Sequence, residues 1–147
     1  MKFLSIPLFF IYSLLITFMI SATSPTLAHE YERNGFVLVH PFAYPSEKGD
    51  TTVAVFLRFK SITGTDRLIG AECRYADSAE LRSDSDLTKP AIDHIEFSNI
   101  KNTEIDANQP HILLKGLRLP FVFMRHYDMK LIFEKAGAVD LTVSVGI

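Results

Sequence analysis

Side chains that can bind a metal ion are few in this sequence, and they are spread along its whole length. Imidazole nitrogen and thiolate sulfur are the usual protein ligands of copper and zinc. Acidic residues are concentrated in residues 77–86, but this stretch lacks the glycine and the ligand spacing of a calcium loop. Metal binding by histidine is therefore the chemistry to test, against the alternative that the histidines are ordinary solvated residues. The 147 residues include one cysteine, Cys73, and five histidines, which are His29, His40, His94, His111 and His126.

The same residue types give little support to an enzyme. Cys73 lies between Glu72 and Arg74 in a strand-like segment, and alternation places it on the same face as Ala71 and Tyr75. We expect a buried, unreactive thiol, because no neighbouring base is available to activate it. The sequence shows no glycine-rich phosphate loop, no pair of catalytic carboxylates and no Ser-His-Asp pattern. We therefore expect a protein that binds rather than one that catalyses.

The first 28 residues have the pattern of an export signal. Lys2 is followed by an apolar run over residues 3–20 and then by a small, polar stretch that ends with Thr26-Leu27-Ala28. Cleavage after Ala28 leaves a mature domain of residues 29–147 and frees the α-amine of His29, which could then chelate a metal together with its imidazole. The apolar run, at about 18 residues, is also long enough for an uncleaved membrane anchor, which is the alternative.

Residues 29–147 amount to one domain with a single core. The net charge of −2 argues against nucleic acid or an anionic membrane surface as a partner after cleavage of the leader. One cysteine permits no internal disulfide, so the core alone must hold the fold. Tryptophan is absent and phenylalanine occurs 12 times, which predicts a Phe-rich core. We expect a monomer.

Short runs of β-branched and aromatic residues alternate with turn residues, and no segment has a helical period. The clearest strand covers residues 51–60, with Val53, Val55, Leu57 and Phe59 on one face. Residues 36–40 are predicted to form a strand that Pro41 ends. Seven or eight such strands at short spacing indicate an antiparallel β-sandwich. The other predicted strands are residues 67–75, 111–114, 127–133 and 139–145, with short candidate strands at residues 80–82, 92–97 and 103–105.

Several of these segments, taken in order, resemble the periplasmic copper chaperones of the PCu(A)C family. The run from His111 through Gly116-Leu117 is similar to the family's His-x-Met-x-x-Gly-Leu strand, and Phe133-Glu-Lys-Ala-Gly137 is similar to its Phe-Glu-Lys-Ala-Gly turn. Asp66-Arg-Leu-Ile-Gly-Ala71 resembles the family's Asp-Arg-Leu-Val-Gly-Ala. The likeness covers roughly residues 40–147. It implies an all-β, cupredoxin-like antiparallel β-sandwich.

The family binds Cu(I) through methionine thioethers and histidine imidazoles, which suit this soft ion. The resemblance carries one ligand position over to this chain, His111. Leu113 stands where the strand's methionine is expected. Arg82 and Asp84 stand where the family has His-x-Met after its Glu-Leu. A permanent cation at position 82 would repel a metal ion, so the resemblance implies a divergent member with a depleted copper site.

Two other sets of ligands remain open. His94 and His111, with an oxygen from Asp84, Asp86 or Asp93, would suit Cu(II) or Zn(II) better than Cu(I). Met124 and His126 would lie on one strand face, although a methionine in so apolar a stretch is more often part of a core.

The resemblance implies an exported copper chaperone that binds copper in the periplasm and delivers it to a cuproenzyme, such as an oxidase, or to the assembly factor of one. The alternative is a secreted interaction or structural module that kept the scaffold, lost the copper site and binds no metal.

Overall fold

The computed structural model of the protein describes residues 30–33, 35–98 and 109–146. The predicted leader, His29 and the predicted strand at residues 103–105 lie outside the described residues. Within the described part of the chain, no helix has the length and hydrophobicity that crossing a membrane requires. The described residues form nine strands: β1 (Glu30–Arg33), β2 (Phe36–Ala43), β3 (Thr52–Ile62), β4 (Thr65–Cys73), β5 (Ser78–Arg82), β6 (Ile95–Ser98), β7 (His111–Lys115), β8 (His126–Phe133) and β9 (Gly137–Val145).

The strands pair in the order β5-β7-β3-β2-β9-β8-β4-β6, and β1 adds to β2. All pairs are antiparallel except β2 and β9, which run parallel where Phe42 lies beside Ser144. A bridge between Leu81 and Ile92 brings the chain that leads to β6 back to β5, at the other end of this order. The sheet therefore closes nearly completely around one core, and the predicted cupredoxin-like β-sandwich is confirmed.

The core is rich in phenylalanine, as the composition predicts. Phe59, Phe121 and Phe133 are fully buried. Phe36 contacts two of these rings, edge-on to Phe59 at a centroid distance of 5.7 Å and tilted against Phe133 at 4.7 Å. Such offset and edge-to-face contacts add to the free energy gained from apolar burial.

Strand β2 is longer than predicted, because Pro41 does not end it. The strand continues to Ala43, and its register against β3 shifts between Val39 and Phe42. His40 lies in this irregularity with a φ of 44°. A bulge leaves residues unpaired in the ladder, so the missing N–H of Pro41 costs no interstrand hydrogen bond here.

The Asp-Arg-Leu motif positions a turn rather than a ligand. The buried carboxylate of Asp66 accepts hydrogen bonds from the backbone N–H groups of Arg67 at 2.8 Å, Lys135 at 2.9 Å and Ala136 at 3.0 Å. It thereby joins the start of β4 to the turn between β8 and β9. This contact explains why the Asp-Arg-Leu and Glu-Lys-Ala-Gly segments occur together in one fold.

Gly116 has a similar structural role. Its φ is 68°, and a Cβ atom at this position would overlap the side chain of Asp77. The backbone N–H of Asp77 donates to the carbonyl oxygens of Lys115 and Gly116, at 2.9 and 3.1 Å. Only glycine combines this φ with so close an approach.

Candidate metal centre

His111 begins β7 and is nearly completely buried, with 3% of its surface exposed. Its Nδ1 lies 3.0 Å from the carbonyl oxygen of Gln109. Because a carbonyl oxygen only accepts hydrogen bonds, the tautomer with the proton on Nδ1 satisfies this contact and leaves the lone pair on Nε2. Metal-binding histidines are commonly oriented in this way by a backbone carbonyl.

Within β7 and towards β3, His111 has apolar neighbours. Its ring lies 5.4 Å from that of Phe56, which stacks on Phe42 at 5.3 Å. Leu113, two residues further along β7, is buried and lies on the same strand face as His111. Neither the aromatic rings nor the isobutyl group of Leu113 can replace the thioether that a Cu(I) site requires.

Arg82, the last residue of β5, is the direct cross-strand partner of His111. Directly opposed residues share a sheet face, with Cβ atoms about 5 Å apart. Arg82 is only 5% exposed. Its Nη2 donates hydrogen bonds to the carbonyl oxygens of Asp86 at 2.9 Å and Lys89 at 2.6 Å, and its Nη1 lies 3.7 Å from a carboxylate oxygen of Glu80. A buried arginine is thus the cross-strand neighbour of the one inherited ligand position.

The acidic residues of the loop over residues 83–89 accept hydrogen bonds from other groups of the same loop. Asp84 accepts hydrogen bonds from Nζ of Lys89 at 2.6 Å and from the backbone N–H of Asp86 at 2.9 Å. Asp86 accepts from both the hydroxyl and the backbone N–H of Thr88. The hydrogen bond from Lys89 lowers the pKa of Asp84, and that from the hydroxyl of Thr88 lowers the pKa of Asp86. These carboxylates therefore shape the loop.

His94 lies at the surface, just before β6. Strand β6 pairs with β4, whereas His111 lies on β7, which pairs with β3 and β5. Across residues 30–33, 35–98 and 109–146, no three His, Cys, Asp or Glu side chains are grouped so as to hold a metal ion. Metal binding by His111 and His94 stays a prediction.

The expectation that Met124 and His126 share a strand face is wrong. Met124 lies in the turn before β8, with a φ of 62° and 78% of its surface exposed, while His126 is the first residue of β8. Nδ1 of His126 lies 3.1 Å from the hydroxyl oxygen of Ser144. Since the turn breaks the alternation, Met124 belongs neither to this strand nor to the core.

Cys73 is only partly buried, whereas the sequence predicts a buried thiol. It is the last residue of β4, it is half-buried, and its sulfur lies 3.9 Å from the carbonyl oxygen of Asp128. Burial raises the pKa of the thiol, so the protonated form predominates at neutral pH.

An exposed apolar surface was not predicted from the sequence. We call it the apolar tip, and it consists of Tyr44, Leu119, Val122, Phe123 and Met124, all of which are exposed. Its two loops are joined, since the N–H of Ser46 donates to the carbonyl oxygen of Phe121 at 2.9 Å and the N–H of Phe121 donates back to the hydroxyl of Ser46 at 2.8 Å. In the sequence, the apolar run over residues 119–124 could have indicated this surface, but such a run ordinarily predicts residues of the hydrophobic core.

The model of the family described as "Putative lipoprotein LpqE-like" matches residues 36–145. The chain belongs to the LpqE-like family. No curated protein matches the sequence of this chain.

Three solved structures with the same fold are PCuAC domains, which confirms the resemblance drawn from the sequence. A copper-bound PCuAC domain from PmoF2 is 22% identical, with a TM-score of 0.69 over 80% of this chain and 97% of that domain. The apo form of the PmoF2 domain is also 22% identical, with a TM-score of 0.66 over 80% and 94% of the two chains. An apo PCuAC domain from PmoF1 is 18% identical, with a TM-score of 0.69 over 80% and 98%.

This LpqE-like protein therefore has the fold of the PCuAC domains, but the residues at the inherited position do not fit a Cu(I) ion. Of the donor groups expected for Cu(I), only the imidazole of His111 is present at its expected position. The other expected donors are replaced by the aliphatic Leu113, the guanidinium of Arg82 and the loop-bound carboxylate of Asp84. No step of a copper-transfer mechanism can be assigned to these residues.

Proposed function

We propose that this protein acts in the cell envelope as a binding protein that uses the copper-chaperone scaffold without carrying Cu(I) at the inherited position. The observation that supports this proposal is the buried side chain of Arg82, the cross-strand partner of His111. A fixed positive charge in a water-poor site opposes the entry of a second cation, since charge–charge interactions are only weakly screened there. The predicted export signal supports a location outside the cytoplasm.

The apolar tip supports a role in protein binding. Clusters of exposed apolar side chains are typical of interaction surfaces. The tip is held in place, because the hydroxyl of Tyr127 donates to the carbonyl oxygen of Pro120 and accepts from the N–H of Val122, each at 2.9 Å. A surface that is ordered before binding loses little conformational entropy when a partner docks.

The tip also adjoins the inherited ligand position. The ring of Tyr44 lies 5.8 Å from that of Phe56, which in turn contacts His111. A partner that docks on the tip would therefore cover the end of the sheet where a chaperone holds its metal. The partner that fits this placement is an envelope protein of the copper pathway, such as an oxidase or its assembly factor.

A second candidate function is that of a copper carrier, in which copper is the cargo passed to a cuproenzyme. It is favoured by the orientation of His111, whose Nδ1 is held by Gln109 as in a metal ligand. It also agrees with the copper-bound state of the PmoF2 domain. This function needs further ligands, for which His94 remains the candidate within the chain.

Competition for Cu(I) against a chromogenic chelator separates the two functions. We expect the wild-type protein and its His111→Ala variant to give the same background signal. Stoichiometric binding by the wild type that is lost in His111→Ala would establish the copper carrier and overturn the proposal.

Photo-crosslinking in living cells tests the binding surface. A crosslinking amino acid at position 123 in the apolar tip should give a discrete adduct with an envelope protein. The same amino acid at position 69, an exposed apolar position on β4, is the matched control. Equal adducts at both positions, or none at position 123, would remove the tip as a docking surface.

A further inference from the structure

The end of β5 contains an unusual combination of charge and burial. Arg82 and His111 are two of only three buried polar or charged residues among those that the structure describes, and they face each other across β5 and β7. Removing an ionised group from water is costly unless hydrogen bonds and opposite charge compensate for the loss of hydration. The partners of Arg82 therefore explain why the charge is tolerated.

These partners belong to the loop that follows β5. The two hydrogen bonds from Nη2 reach the carbonyl oxygens of Asp86 and Lys89, four and seven residues further along the chain. The loop then returns to the sheet, where the N–H of Ile92 donates to the carbonyl oxygen of Leu81 at 2.9 Å. One cation thus fastens both halves of the loop to the end of β5.

We infer that Arg82 is a built-in substitute for a metal ion: its guanidinium fastens the loop over residues 83–89 beside His111 and at the same time excludes a metal from this position. This inference rests on the proposed function, in which no Cu(I) is carried. Metal ions and guanidinium groups can both join separated oxygen or nitrogen acceptors through one positive charge. In this chain the charge is covalently attached, so the loop keeps its shape without a ligand.

The residues around Arg82 are also consistent with a fixed cation at this position. Leu113 lies on the same strand face as His111, where an aliphatic side chain can pack but cannot bind a metal. Asp84 turns into the loop and pairs with Lys89. Glu80 lies 3.7 Å from the guanidinium of Arg82 and 2.8 Å from the ammonium of Lys115, and so provides the opposite charge. Leu113, Asp84 and Glu80 thus supply packing, a loop contact and a counter-charge near the fixed cation of Arg82.

Amide hydrogen exchange across residues 83–89, measured with and without one equivalent of Cu(I), tests the inference. In the wild type, exchange should be slow and unaffected by Cu(I). In Arg82→Met, exchange should be at least tenfold faster with or without Cu(I), because the carbonyl oxygens of Asp86 and Lys89 lose their shared donor. A loop that stays protected in Arg82→Met would overturn the inference.

A triple variant tests the exclusion of metal. Arg82→His, Asp84→Met and Leu113→Met together restore the ligand types that the resemblance predicts around His111. Without metal, its loop should exchange as fast as that of Arg82→Met, and Cu(I) should slow the exchange at least tenfold. Adding His111→Ala should abolish this response. A folded triple variant that ignores Cu(I) would contradict the claim that Arg82 and its neighbours exclude the ion.

The Cu(I) competition assay and the exchange of the loop amides in Arg82→Met can fail independently of each other. Cu(I) binding by the wild type in the competition assay would overturn the proposed function. If the Arg82→Met loop were nevertheless loosened, the fastening role of Arg82 would stand while its exclusion of metal would fall. Thermal unfolding shows which variants are folded. If the triple variant does not fold, hydrogen exchange in Arg82→Met alone still tests whether Arg82 fastens the loop.

Discussion

The replacement of Arg82 by methionine should destabilise the protein measurably. Methionine retains most of the apolar length of the side chain but removes the guanidinium and its two hydrogen bonds to Asp86 and Lys89. Hydrogen bonds of charged groups are each worth about 1.5–3 kcal/mol net. Two effects reduce the total: the cost of burying the charge disappears, and water can reach the two carbonyl oxygens in their exposed loop.

We therefore expect a net loss of about 2 kcal/mol from the free energy of unfolding. For a domain of this size that corresponds to a decrease in Tm of about 8 °C. Urea unfolding followed by circular dichroism measures the free energy, and calorimetry measures Tm. The m-value should be unchanged, since the variant exposes the same surface on unfolding.

Arg67→Met is the matched control, because it removes the same group from the surface. Arg67 is about half exposed, and its ion pairs with Glu96 and Glu134 are long, at 3.8 and 3.9 Å. Exposed pairs of this kind contribute roughly 0–1 kcal/mol. If Arg82→Met and Arg67→Met cost the same, the buried guanidinium has no special role and the reasoning about Arg82 fails.

Asp66→Ala should lower the free energy of unfolding by about 3 kcal/mol in urea titration, because three backbone N–H groups lose a charged acceptor; a loss under 1 kcal/mol would contradict this. Because the hydrogen bond from Lys89 lowers the pKa of Asp84, the carboxylate of Asp84 stabilises the loop fully above about pH 3.9. This stabilisation is lost as the pH falls through the lowered pKa. The NMR chemical shifts of the loop amides should thus be constant from pH 8 to 5, and a change within this range would contradict the role of Asp84. Cys73 should react with a disulfide reagent at pH 7.5 more slowly than in the unfolded chain, since burial raises its pKa; equal rates would refute this.

Local patterns in the sequence were sufficient to predict much of the fold. The alternation in residues 51–60 predicted β3, and the turn at Lys135-Ala-Gly137 predicted the hairpin of β8 and β9. Pairing between distant strands is not encoded in such patterns, so the parallel contact of β2 with β9 was not predicted. The bulge at His40 was also missed, because Pro41 ordinarily ends a strand.

The chemistry of the site was predictable by residue type but not by geometry. Leu113 and Asp84 identified the missing donors directly from the sequence. The burial of Arg82 could not be predicted, since arginine is rarely buried and its acceptors are backbone carbonyls of a loop. The apolar tip was missed for the opposite reason, because Phe123 and Met124 have side chains that usually lie inside.

Anomalous X-ray diffraction at the copper edge, from crystals of the wild-type protein equilibrated anaerobically with Cu(I), tests the central claim most directly. The claim predicts no copper peak at bonding distance from Nε2 of His111, with the guanidinium of Arg82 still bound to the carbonyl oxygens of Asp86 and Lys89. A peak bonded to His111, with Arg82 displaced from its loop, would contradict it.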